Sequence, residues 1–409
     1  LATIYIFLTI TQTFFQNNLF TLCHLIYTDT FYMKRKWIRW VSWILLTPII
    51  LFVILMVLLY VPPVQNLLRR EVTAYASKAT GMQIQVERID LRFPLNLLVR
   101  GVEVIQQPDT LLSLESLNVR VQAWPLIKGK VEVDEVTLSR VAVNSANLME
   151  GMKIKGVLGR FFLQSHGVDL SNEIAIINQA ELSDTHVQLL MNDTTTTPKD
   201  TTASAPVNWK VDLHQLKLKN VSFSMQLPVD SMRMAAHIGE AAIDDAQADL
   251  KNQFYGLKKF LLSGTSASYD TGTAQPIEGF DASHIAVRDV RIALDSLLYK
   301  GRDMNAVIRE FTMNERSGLS VVSLTGRAYS NDSIISVPGL KLKTPHSEID
   351  LSAHTYWELV NIPTTGRLSA NLNAYIGKED VMLLAGGLPD SFKEAYPFRP
   401  LVIRAGTDG

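Results

Sequence analysis

Only one of the 409 residues is cysteine, Cys23, so the chain can build neither an internal disulfide framework nor a cysteine-based metal site. Surplus charge is missing as well. With 39 basic and 40 acidic residues the net charge is −1, which points away from nucleic acid and from any strongly charged partner. Charged residues of both signs are scarce, 19% of the chain against 47% hydrophobic, so there is much apolar surface to cover. The chain also lacks a Gly-rich phosphate loop, an HExxH pair, a G-x-S-x-G elbow and a cysteine nucleophile. His166, His186, His214, His237, His284, His346 and His354 stand singly, as strand histidines do. Paired acids such as Asp134-Glu135 and Asp244-Asp245 read as solvated turn or bulge residues. No catalytic residue, metal ligand or cofactor is assigned, and the chain is read as a non-enzyme.

Helical periodicity is also rare; what is present is an interrupted strand pattern. In "KVEVDEVTLSRVAVN" (Lys130 to Asn144) the apolar residues come in pairs: Val131 and Val133, Val136 and Leu138, Val141 and Val143. As a helix these six positions would point all the way round. As a regular strand, the odd step between pairs would send the next pair to the opposite face. Asp134-Glu135 and Ser139-Arg140 are poor hairpin formers. A β-bulge at each dipeptide, with one extra residue returning the next pair to the same face, gives a strongly coiled strand that is apolar on its inner side.

The unit recurs. "KVDLHQLKLKNVSFS" (Lys210 to Ser224) carries Val211, Leu213, Leu216, Leu218, Val221 and Phe223 at identical spacing. Shorter copies are "IQVERIDL" from Ile84, "LSLESLNVRV" from Leu112 and "IAVRDVRI" from Ile285; "AIINQAELSDTHV" from Ala175 is weaker. A repeated β-unit is expected. The fold class read from this is mostly β, an elongated, strongly twisted sheet.

The N-terminal part carries the long apolar run. Residues 41–61, "VSWILLTPIILFVILMVLLYV", hold no charge and would span about 31 Å as a helix, the thickness of a hydrocarbon core. Lys34, Arg35, Lys36 and Arg39 precede it, so a single-pass anchor is expected, with the N-terminus cytoplasmic and the rest outside the cytoplasm. Residues 1–32 read as a mis-annotated leader with Met33 the true start, and 33–61 as basic segment and anchor. Pro62 and Pro63 open a short amphipathic helix over 62–81, closed by Gly81. Its apolar stripe (Val64, Leu67, Leu68, Val72, Tyr75, Ala76, Ala79) is expected to cap the first strands. Residues 82–191 hold the first β repeats and 192–206 a Thr/Pro/Ser linker. Residues 207–409 hold further repeats, read as truncated at the C-terminus.

The order of anchor, helix "VQNLLRREVTAYASKATG", "MQIQVERIDL", "LLVRGVEVI", "PLIKGKVEVDEVTLSRVAV" and "GLKLKTPHSEIDLSA" resembles the N-terminal part of the AsmA-like family, within it the TamB-type translocation and assembly module proteins. The resemblance implies an inner-membrane anchor and a long, taco-like β-groove in the periplasm of a Gram-negative envelope. Through that groove phospholipid passes towards the outer membrane. Some members also assist outer-membrane protein assembly, so the second reading is an anchored scaffold or chaperone. A link to an outer-membrane assembly barrel would run through a C-terminal domain that members carry and this chain lacks. The lipid-groove candidates are Val131, Val133, Val136, Leu138, Val141, Val143, Val211, Leu213, Leu216, Leu218, Val221 and Phe223. Some 25 to 30 strands would give a groove of roughly 120 to 145 Å. Spacing alone is equally compatible with the same residues closing into a dry core.

Overall fold

The computed structural model describes residues 60–92, 95–106, 109–122, 132–149, 152–169, 172–191, 208–228, 231–361, 367–384, 390–395 and 399–408, with single positions between 43 and 57. Within these residues the chain is mostly β and forms one open sheet of 17 strands. The first ten are β1 (Gln83–Arg92), β2 (Asn96–Gln106), β3 (Asp109–Val121), β4 (Val133–Met149), β5 (Met152–Asp169), β6 (Ile174–Met191), β7 (Lys210–Leu227), β8 (Met232–Asp249), β9 (Phe254–Asp270) and β10 (His284–Lys300). After them come β11 (Asp303–Glu315), β12 (Ser320–Val321), β13 (Ser323–Ser330), β14 (Ile334–Lys343), β15 (Glu348–Tyr356), β16 (Leu368–Ile376) and β17 (Leu401–Asp408). Each strand pairs with its neighbour in sequence, except that β12 and β13 both pair with β11, and the pairs are antiparallel with one exception. β6 and β7 run parallel, flanking the Thr/Pro/Ser linker, which lies outside the described residues.

The strands from β4 to β10 are 17 or 18 residues long, two to three times the usual length. Fewer, longer strands therefore replace the 25 to 30 expected. Because β12 and β13 share one lane beside β11, fifteen inter-strand steps at about 4.8 Å give roughly 72 Å across the sheet.

The expected bulges are present in a more ordered form. Arg140, Asp184, Asn220, Asp245 and Asp289 lie at positive φ (48°, 51°, 52°, 51° and 54°) within their strands, as does Gly101 at 60°. Four of the five non-glycine residues are Asp or Asn, the types that best tolerate the left-handed region. The pairing Ser116↔Ser139 on one side of Arg140 and Leu114↔Val141 on the other keeps the same register, so Glu115 and Arg140 face each other. Both strands insert their extra residue at one level. The same holds along a row of Glu87, Gly101, Glu115, Arg140, Gly159, Asp184, Asn220 and Gly239, across β1 to β8. The interruption is a corner that crosses the sheet, so neighbouring strands flip phase together and stay paired.

Close approach at this row fixes its glycines. A Cβ on Gly239 would meet the carbonyl oxygen of Gly264 at 2.8 Å, and one on Gly101 would meet the Glu87 side chain at 2.6 Å. Polar contacts link the corner residues along the row. Arg140 pairs with Glu115, and Asn220 Nδ2 donates to Asp184 Oδ1 at 2.7 Å. In a second row, Asp245 lies 3.2 Å from His214 Nδ1 and 3.1 Å from Lys258 Nζ. The His214 and Lys258 hydrogen bonds hold the Asp245 carboxyl below its ordinary value.

Helix α1 (Pro62–Thr80) starts on its two prolines and ends on Gly81 at φ 69°. It runs along the outer edge of β1 and satisfies that edge with side chains. Gln65 Nε2 donates to the Leu91 carbonyl, Arg69 Nη1 to those of Val86 and Glu87, and Ile84 N–H donates to Ser77 Oγ. The expected cap is there, but polar residues make these contacts; Leu67, Val72 and Tyr75 of the apolar stripe are exposed. Propensity placed the helix, and the unpaired backbone groups of an edge strand decided which face turned inward.

Three short helices follow: α2 (Trp357–Asn361), α3 (Lys378–Leu384) and α4 (Asp390–Ala395). In α3, Asp380 is buried and locks the β14–β15 turn. Its Oδ2 accepts from Ser347 Oγ at 2.5 Å and from Thr344 Oγ1. Among the described residues no helix is long and apolar enough to cross a membrane. The expected anchor is described only in part. Trp43, Leu46, Thr47, Ile50, Leu51, Val53, Ile54 and Val57 are helical and exposed, and the remaining positions of 41–61 except Tyr60 and Val61 lie outside the described residues.

Candidate functional site

Directly paired residues of neighbouring strands point to the same face of a sheet, so the register converts the sequence pattern into rows. One row can be followed from edge to edge. It runs Leu91–Leu97–Val119–Val136–Leu163–Ala180–Leu216–Ile243–Phe260, then Leu294–Ile308–Gly326–Leu340–Leu351–Leu372–Ala405. Every member is apolar or glycine, and only the two-residue β12 contributes none. A second row, two residues away, runs Ile89–Val99–Leu117–Leu138–Phe161–Leu182–Leu218–Ala241–Leu262–Ile292–Phe311 over β1 to β11.

The structure brings the candidates of the two full repeats together pairwise in these rows. Val136 and Leu216 share the first, Leu138 and Leu218 the second. Beyond the corner, Val141 and Val221 are joined through Leu158 and Thr185, and Val143 and Phe223 through Gly156 and Val187. Leu213 pairs with Ile177, and Val211 with Ala175. Val133 pairs with Val121, and its carbonyl accepts from the buried Ser165 hydroxyl. Val131 lies outside the described residues. Burial separates the pairs from the residues between them on β7 but not on β4, where Val133, Asp134, Glu135, Val136, Thr137, Leu138 and Ser139 are all half-covered. Along β7, Val211, Leu213, Leu216, Leu218 and Val221 are half-covered, while Lys210, Asp212, His214, Lys217, Lys219 and Asn220 are exposed. Phe223, 41% exposed, is the departure.

How far the rows are covered matters most. From Leu91 to Leu372 no member of the long row is exposed, and only Ala180 is buried. Among the described residues just nine hydrophobic side chains are buried, five of them alanines. The only side chain less than 2% accessible is that of Ser145. A closed sandwich core would bury large aliphatic and aromatic residues from facing sheets. Here Leu, Ile, Val and Phe line up in contact with one another and stop at half coverage.

The alternate positions are mixed: the row between the two, Asp90–Leu98–Asn118–Thr137–Phe162–Glu181–Lys217–Ala242–Leu261–Ala293, holds polar and apolar residues in equal number. Arg120 pairs with Glu135 at 3.2 Å, one step from Val119 and Val136, and Lys341 with Asp350 at 3.7 Å, one step from Leu340 and Leu351. Such surface and partly covered pairs contribute about 0–1 kcal/mol each. Two further carboxyls held low lie near the β9–β10–β11 turns. Backbone N–H groups of Ile277 and Ser283, with the His284 ring, hold the Asp281 carboxyl below its ordinary value. Burial of Glu315 works to raise its value, but donors from Ser317, Ala286 and Arg316 outweigh it, and the carboxyl is held low. Both groups tie turns together. Among the described residues no three of His, Cys, Asp and Glu are grouped closely enough to hold a metal ion.

Sequence reasoning missed half of each row. Phe161 and Leu163, Ala241 and Ile243, Phe260 and Leu262 belong to it, on strands whose pattern is diluted by Gly and Ala. The available signal was the polar dipeptide beside each pair: Gly159-Arg160, Asp244-Asp245, Lys258-Lys259. No protein-family model matches the chain, and no curated protein matches it.

Proposed function

We propose that this chain is a membrane-anchored lipid conduit of the AsmA-like, TamB type, carrying phospholipid across the periplasm along the apolar side of its sheet. The observation that carries the reading is the unbroken apolar row through sixteen strands, half-covered at every member except the buried Ala180 and the exposed Ala405. Acyl chains moving through water need one continuous apolar line, because each methylene exposed costs about 0.8 kcal/mol. Fifteen steps at about 4.8 Å make the line roughly 72 Å long. Corner rows across β1 to β8 add bend and twist to those strands, which supports the taco-like groove that the resemblance implies. The uncharged residues 41–61, ahead of α1, would fix one end of it at the inner membrane. The family resemblance adds direction, towards the outer membrane.

The reading is tested by purifying the chain from membranes in mild detergent and analysing bound lipid by mass spectrometry. Phospholipid, in excess of one molecule per chain and retained through gel filtration, is the expected result. One observation favours a second reading, the anchored scaffold for outer-membrane protein assembly. The β17 edge is unpaired on its outer side among the described residues, and Leu401 and Val402 are exposed. A bare edge can take up a strand. Lipid-free chain that instead retains unfolded outer-membrane protein would favour that reading.

A further inference from the structure

Helix α1 has two faces with different occupants. Counting about 100° per residue from Val64, the residues turned to β1 (Gln65, Arg69, Thr73, Ser77) lie at about 100° to 220°. Leu67 and Tyr75 lie at about 300° and 20°, away from those contacts, and Val72 at about 80°, at their margin; the three are 57%, 77% and 44% exposed. A soluble cap would spend its apolar stripe on the sheet. This helix uses hydrogen bonds there and leaves the stripe outside.

We infer that α1 lies in the surface of the membrane, with Leu67, Val72 and Tyr75 inserted among the lipids. This rests on residues 41–61 being the anchor proposed above. Two further observations select a bilayer as the occupant. Val57 is still helical and Tyr60 N–H bonds to its carbonyl, so at most four residues separate the apolar helix from Pro62. Five residue steps span at most about 17 Å, so the start of α1 is held close to wherever that apolar helix ends. Charge agrees, since with Arg69 engaged by β1 the remaining basic residues Arg70 and Lys78 still outnumber Glu71, the only acid in α1, and basic amphipathic helices favour anionic headgroups. Tyr75, an apolar ring with a polar tip, suits the interfacial zone. The consequence is functional. β1, hydrogen-bonded to α1, brings Ile89 and Leu91, the first members of both rows, to the bilayer surface, where lipid would enter.

The test uses the whole chain in liposomes of phosphatidylethanolamine and phosphatidylglycerol, with Cys23→Ser as background. An environment-sensitive dye is placed at Leu67→Cys, Tyr75→Cys or, as the aqueous control, Lys258→Cys. Flotation and carbonate extraction are run on the same samples. The expected result is several-fold brighter, blue-shifted emission at 67 and 75, quenched by spin-labelled lipid, with 258 quenched only by aqueous iodide. Chain that floats and resists carbonate while 67 and 75 behave like 258 overturns the interfacial helix and leaves the anchor standing. Chain that carbonate strips from the liposomes overturns the anchor and this inference together.

Discussion

Val136→Asp separates an open apolar surface from a closed core more sharply than any other single change. Val136 lies mid-row between Val119 and Leu163 and is half-covered. Full burial of a valine stabilises by roughly 1.5–3 kcal/mol, so losing a half-buried one costs about 1 kcal/mol. A carboxylate on an open groove keeps part of its hydration, and the total should stay near 1–2 kcal/mol. In a dry core the same carboxylate would lack both water and a partner, at a cost of several kcal/mol. Transport should respond in the opposite sense. A charge on the acyl path opposes every passing chain, and transfer between donor and acceptor vesicles should fall at least tenfold. Urea unfolding and a fluorescence-dequenching transfer assay on the same preparation give both numbers. Lys217→Asp, on the exposed side beside Leu216, is the control and should change neither. A Val136→Asp chain that is unfolded, or folded with transfer intact, would refute the reasoning.

Other expectations follow from corners and turns. Asn220→Gly and Asn220→Val both lose the hydrogen bond to Asp184, at about 1 kcal/mol, but by thermal denaturation Asn220→Val should cost about 1–2 kcal/mol more, since a β-branched residue strains at φ 52°. Equal stability of the two variants would remove the left-handed corner. Gly239→Ala should lose about 1–3 kcal/mol by overpacking against the Gly264 carbonyl, and an unchanged melting temperature would contradict that approach. Asp281 and Glu315 are held below their ordinary values of 3.8 and 4.5, so the stability they contribute is present above those values and lost as pH falls through the lower folded ones. Asp281→Asn with Glu315→Gln should therefore flatten the stability–pH curve below about pH 4.5 and leave its slope near pH 7 unchanged; an unaltered acid limb would contradict it.

Much of this arrangement was legible in the residues. The paired spacing in β4 and β7 specified β-structure and an extra residue at each polar dipeptide, on β7 one half-covered apolar side as well, and Arg140 and Asn220 supply the left-handed geometry. The alignment of those dipeptides into rows was not legible, because register depends on which strands become neighbours. Glu115 gives no sign of facing Arg140, 25 positions on. Strand length was underestimated for a related reason: "KVEVDEVTLSRVAVN" looks like three short strands until the corners are seen to keep their backbone paired. The helix erred in the other direction. Its stripe was read correctly and its partner was not, since the amphipathic pattern says that a face needs cover without saying what covers it. The rows on β5, β8 and β9 escaped notice because Gly and Ala hold places that Val and Leu hold on β4 and β7.

The measurement closest to the central claim is photo-crosslinking in living cells. A photoreactive amino acid goes into the long row at Val136, Leu216, Ile308 and Leu372, one site per chain, and into the exposed positions Lys217 and Asp212. Phospholipid captured at all four row positions, on strands from β4 to β16, and at neither exposed one is the expected outcome. Crosslinks from the row to protein alone, or lipid captured equally on both faces, would contradict the conduit.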